Sequence, residues 1–116
     1  MPFEKLKDAI LGKSYDLSLA FITGAESKRL NRKLRGKNGP ANVLAFPLSR
    51  SSGEILIAPR VALRHAPFYG MREREFVAHL FIHALLHLKG LPHGVTMERE
   101  EKKLRARFFR RRPRSL

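Results

Sequence analysis

The stretch REREFVAHLFIHALLHLKGLPHG, residues 72–94, decides how this chain is read. Its opening is acidic (Glu73, Glu75) and its centre apolar, and Gly90 stands where a helix C-terminus favours a left-handed residue. The spacing predicts one long helix over 72–90. His83 and His87 are four residues apart, so they share a helix face about one turn apart, where two imidazoles can take one metal ion. His93 cannot join them along a straight helix. Gly90 ends the helix and Pro92 turns the chain, which lets residue 93 fold back beside the other two. The resulting pattern, H-x3-H-x2-G-x2-H, supplies three neutral nitrogen ligands. Zinc held this way keeps an open fourth position, a feature of catalytic sites more than of structural ones.

The plainer reading of His83 and His87 alone is two satisfied residues on a core-facing helix; His93, placed just after the breaking glycine, favours the metal. His79 lies one turn before His83 on the same stripe. It stands two turns of ~5.4 Å from His87, too far for both to share one ion. It is expected to support the site or to belong to the core, and His65 is expected at the ordinary surface. Zinc peptidases place a Glu, their general base, directly after the first helix histidine. Ala84 occupies that position, which disfavours peptide hydrolysis by that mechanism.

Working outward, residues 3–12 carry Phe3, Leu6, Ile10 and Leu11 at helical spacing. Residues 16–23 alternate Leu17, Leu19 and Phe21 on one face and read as a strand ended by Gly24. Residues 25–34 read as a basic helix and 35–41 as a Gly/Pro-broken loop. NVLAF (42–46) reads as a strand ended by Pro47, 49–53 as a turn, and EILIAP (54–59) as a third strand. A helical turn and loop follow over 61–70, and a charged final helix over 96–110. There is no internal repeat and no linker. The expected architecture is one α+β domain, residues 1–104, followed by a basic tail, 105–116. A three-stranded sheet with helices on one face would bury the apolar side of helix 72–90.

The whole chain has 116 residues, 13.3 kDa and 43% hydrophobic residues, enough for one globular core. It has no cysteine, which excludes a disulfide scaffold, a thiolate nucleophile and cysteine-held metal sites. Its net charge is +14 and its pI about 11.3, pointing to a polyanionic partner, nucleic acid before membrane. Lys28, Arg29, Arg32, Lys33, Arg35 and Lys37 form one cationic cluster. Six arginines between Arg105 and Arg114 form another, with Phe108 and Phe109 among them, expected to pack as a last helix turn. The charged start lacks the ~7–15-residue apolar run of a signal peptide. No stretch approaches the ~18 apolar residues of a membrane span. The expectation is a cytoplasmic protein without membrane contact.

The histidine run HALLHLKGLPHG resembles the H-G-x-L-H-L-x-G-Y-D-H signature of the YbeY family of rRNA-maturation endoribonucleases. RLNRKLRGKNGPANVLAFPL (29–48) is similar to that family's L-N-x-x-Y-R-x-K-D-x-P-T-N-V-L-S-F-P block. GEILIAP (53–59) is similar to its G-D-I-V-I strand, and HGVTMEREE (93–101) to its Met-Glu-rich helix. Order and spacing agree from about residue 16 to about 104. The resemblance implies an α+β fold with a small mixed sheet beside the metal helix, and a metal-dependent hydrolase of single-stranded RNA. It implies work on rRNA of the small ribosomal subunit, in 16S 3′-end maturation and ribosome quality control. It places one zinc per chain on His83, His87 and His93, and matches Arg35 to the family's functional arginine. Glu54 and Glu98 are the candidates for a general base, with Glu54 the tentative choice.

Several positions depart from the family pattern: Ala84, Leu91, Pro92, Ala41, Ala45, Asn38 and Glu54 replace Gly, Tyr, Asp, Thr, Ser, Asp and Asp. The family also usually carries a further strand before its first helix. An Asp before the third histidine can orient a ligand or its water, so its replacement bears on affinity or rate. The alternative expectation is therefore a non-catalytic, zinc-containing RNA- or ribosome-binding assembly factor.

Overall fold

The computed structural model describes residues 1–109. The chain runs α1 (Phe3–Leu11), β1 (Asp16–Phe21), α2 (Gly24–Arg35), β2 (Val43–Ser49), β3 (Ser52–Ile57), α3 (Pro59–His65), a 3-10 turn (Ala66–Tyr69), α4 (Glu73–Lys89) and α5 (Val95–Phe108). The sheet order is β1-β3-β2, with β1 parallel and β2 antiparallel to β3. This is a single α+β domain with the small mixed sheet that was expected.

α4 is the spine. Phe81, Ile82 and Leu85 pack with Ile55 and Ile57 of the central strand, with Leu6 and Ile10 of α1, and with Met97 of α5. All of these are buried. Each such side chain contributes roughly 1.5–3 kcal/mol when withdrawn from water. Gly53 is buried, and a Cβ there would crowd the Tyr15 hydroxyl and the Leu88 side chain, which would have to shift.

α2 is built to hold the loop that follows it. Thr23 and Glu26 form a reciprocal capping box at its start. Ser27 is fully buried; its hydroxyl donates to the Ala41 carbonyl and accepts from the Ala41 N–H at 2.9 Å. One turn later the Asn31 amide donates to the Gly39 carbonyl at 3.0 Å. These bonds fold residues 36–42 back along α2.

Four boundaries differ from the sequence expectation. Pro47 does not end its strand: β2 runs through it to Ser49, with a register shift between Pro47 and Ser49. β2 is an edge strand, where a missing N–H costs no ladder bond. Residues 59–69 are helical throughout rather than a turn and a loop, because Pro59 starts α3 and Pro67 continues into a 3-10 turn. β1 ends at Phe21, two residues short of the expected 23, and Phe21 is 54% exposed at the end of this edge strand. The boundary expected at 104/105 falls inside α5. The apolar stripe of Met97, Leu104 and Phe108 continues past it, and Phe108 and Phe109 pack against the main core. The rest of the expected arginine tail, residues 110–116, lies outside the described residues. No helix among the described residues is long and apolar enough to cross a membrane.

Candidate metal centre and its cleft

α4 presents His79, His83 and His87 along one stripe, and all three line an open cleft of about 310 Å³. His93 lines the same cleft. Gly90 makes this possible. It adopts φ +101°, and the turn closes with Gly90 N–H donating to His87 O at 3.0 Å and Leu91 N–H to Leu86 O at 3.1 Å. Leu91 packs against the core, and the chain doubles back. The His93 ring then lies 5.0 Å from the His83 ring and 5.6 Å from the His87 ring, centroid to centroid.

The His93 ring stacks with both the His83 and the His87 ring, each at an interplanar angle of 29°. Among the described residues, no group of three His, Asp or Glu side chains is drawn into a ready cation-binding arrangement. The donor set itself fits a metal. Burial first, and then the neighbouring His93, His83 and Arg35 charges, hold the His87 imidazole below the usual histidine range. That favours the neutral imidazole, the form a metal ligand needs. His83 uses Nδ1 on a carboxylate, which leaves Nε2 as the nitrogen available to a metal.

That carboxylate is Glu101, which the sequence reading did not single out. Its Oε1 lies 2.8 Å from His83 Nδ1 and its Oε2 3.3 Å from His79 Nδ1. Glu101 is only 5% exposed. Burial opposes its charge, but the His83 hydrogen bond and the charges of His79, His83 and Arg105 outweigh that, keeping the carboxyl below its ordinary range. The signal was present in the sequence: Glu101 interrupts the apolar stripe of α5 between Met97 and Leu104. His79 is a supporting residue. Its Nδ1 also lies 3.3 Å from an Arg105 guanidinium nitrogen, and burial lowers its pKa more than the Glu101 charge raises it.

Arg35, the last residue of α2, lines the cleft with the histidines although it is nearly fifty residues away in sequence. The Ser27 and Asn31 bonds to the following loop bring Ala41 and Ala45 of the same block into the cleft wall. Lys28, Arg29, Arg32 and Lys33 do not reach the cleft; they line a shallow hollow on the outer face of α2, and Lys37 is exposed just beyond. Glu54 is not brought to the cleft either. It alternates with Gly53 and Ile55, which face α4, so it points from the opposite face of the sheet. Glu98 is exposed beside a second hollow, on the α5 side of the histidines. His65, expected as ordinary surface, is half-buried at the end of α3, 3.1 Å from the Asn42 amide.

A small mixed sheet lies under a long helix, and four histidines and an arginine share one cleft, the setting of a hydrolase domain. The model of the family described as endoribonuclease YbeY matches residues 3–109. The chain belongs to that family. It is 37% identical over 94 residues to the endoribonuclease YbeY of Chromohalobacter salexigens, covering 75% of this chain and 61% of that protein. It is 34% identical over 96 residues to that of Aromatoleum aromaticum, covering 80% and 62%. The chain thus spans about three fifths of the length of these two relatives. A solution structure of a Thermotoga maritima protein matches with a TM-score of 0.64 at 25% identity, over 90% of this chain and 77% of the other.

Proposed function

We propose that this chain is a zinc-dependent endoribonuclease for single-stranded RNA, acting in the cytoplasm on small-subunit rRNA in 16S 3′-end maturation and ribosome quality control. The observation that carries this reading is the meeting of His83, His87, His93 and Arg35 in one cleft of a chain with net charge +14. The names of its relatives support the nuclease class.

In this reading His83, His87 and His93 would hold one zinc. When bound, zinc supplies Lewis acidity, lowering the pKa of water toward ~7 and polarising a phosphoryl oxygen. Glu101 holds the His83 ring in place and fixes the proton on Nδ1. Arg35 takes the phosphate oxygens, for which the planar guanidinium fork is suited. The outer cations of α2 hold the flanking strand by its backbone. Among the described residues lining the cleft there is no carboxylate, and Ala84, buried in its wall, holds the place of the peptidase base.

A second reading keeps the metal and drops the chemistry: a zinc-containing ribosome-binding factor. Ala41 and Ala45 favour it, because they line the cleft without the hydroxyls of the family pattern. Metal content and cleavage of a single-stranded rRNA fragment, measured on one preparation of wild type and of His87→Ala, separate the two. The nuclease reading expects about one zinc and cleavage in wild type, with both lost in the variant. Zinc and RNA binding without cleavage would leave the second reading standing, and cleavage undiminished in a metal-free variant would defeat both.

A further inference from the structure

We propose that Tyr69 is a stacking platform for an unpaired base of the RNA at the mouth of the histidine cleft. This rests on the reading of the substrate as single-stranded RNA. Tyr69 closes the 3-10 turn before α4, and its ring is 59% exposed. It is nevertheless not loose. The ring lies 4.8 Å from the fully buried Phe76 ring, at an interplanar angle of 32°. One side of the ring therefore rests on the core and the other faces solvent. An aromatic pinned from behind with a free outer face loses little entropy when a flat partner settles on it.

Its position gives that partner an identity. Tyr69 lines the cleft that holds Arg35 and the histidines, and also the second hollow, where Arg99, Lys102 and Arg105 of α5 outnumber the carboxylates of Glu98 and Glu101. His79, His83 and His93 likewise line both. A polyanionic strand laid over the histidines thus meets cations on either side and Tyr69 at the junction. Tyr69 stands 6.3 Å from the His79 ring, which stands 6.3 Å from the His83 ring. One ring, His79, lies between the platform and the proposed ligand His83. Phe68 beside it is 87% exposed, so this turn displays its aromatics instead of burying them. Aromatic rings interleaved with cations are the means by which proteins hold single strands, since every base has a π-face.

The test is affinity for a fluorescein-labelled oligoadenylate RNA decamer, read by anisotropy, beside an RNA duplex of similar length whose bases are already stacked. Tyr69→Ala should weaken decamer binding roughly tenfold, the usual worth of one base–aromatic stack, and leave duplex binding unchanged. Tyr69→Phe should bind as wild type. Tyr69→Leu, which keeps an apolar contact with Phe76, should fold as wild type and still lose decamer affinity. Equal decamer affinity in Tyr69→Ala and wild type would overturn the platform while sparing the RNA reading. So would equal loss on decamer and duplex. A change of oligomeric state in Tyr69→Ala at unaltered RNA affinity would assign the turn to a protein contact instead. Failure of the wild-type protein to bind the decamer at all would remove the RNA reading and the platform together.

Discussion

Glu101 on α5 holds His83 on α4 through a 2.8 Å contact from Oε1 to Nδ1, and reaches His79 with its other oxygen. One buried carboxylate thereby fastens two helices and sets the direction of a candidate metal ligand. Carboxylates behind metal-bound histidines raise ligand basicity and fix the tautomer.

Glu101→Gln should accordingly lower zinc affinity by about 10–100-fold while the fold persists. Competition with a chromophoric chelator reads this directly. Unchanged affinity would reduce Glu101 to a helix–helix fastener. Glu101→Ala goes further, leaving the His83 and His79 nitrogens without their shared partner at a cost of about 1–3 kcal/mol, visible in urea unfolding.

Ser27 is the buried fastener of the loop that carries the α2 block to the cleft. Ser27→Ala strips the Ala41 carbonyl and N–H of the hydroxyl that bonds both. The expected destabilisation is about 1–3 kcal/mol. A urea midpoint equal to that of wild type would mean the loop is held some other way.

Arg35 and the outer face of α2 should separate kinetically. Arg35→Ala is expected to slow cleavage at saturating RNA, with melting temperature unchanged because the residue is exposed. The pair Arg29→Ala and Lys33→Ala should instead weaken binding and flatten its salt dependence, leaving the saturated rate intact. Steady-state assays at several salt concentrations distinguish the two; identical effects from both sites would contradict the geometry.

Gly90 carries φ +101°, and a side chain there costs about 1–2 kcal/mol in the left-handed region. Gly90→Ala should lower the melting temperature and, because His93 follows directly on the turn, reduce zinc stoichiometry as well. Thermal melts with metal analysis check both; full zinc occupancy in a destabilised variant would show that His93 finds its place without the turn.

The long helix, its glycine stop and the ligand spacing were legible in the chain because they rest on local rules. A period of 3.6 puts residues 83 and 87 on one face, and glycine tolerates positive φ. The edges of the strands were less legible. Pro47 reads locally as a breaker and is harmless only because β2 lies at the rim of the sheet, a fact about neighbours. The boundary at 104/105 misplaced Arg105 for the same reason: charge composition suggested a tail, whereas Leu104 and Phe108 had a core to bury against.

The sequence by itself determined an α+β domain, a histidine triplet around a glycine turn and a strongly cationic chain. Only the tertiary structure decided which other residues meet that triplet. Arg35 ends α2 at the cleft, and buried Ser27 and Asn31 tie that helix to the loop whose Ala41 lines the same cleft. Glu101 arrives because α5 packs its stripe against α4. Glu54 stays away because strand alternation turns it to the other side of the sheet. Contacts between residues distant in sequence are fixed by packing, and packing has no local period to read.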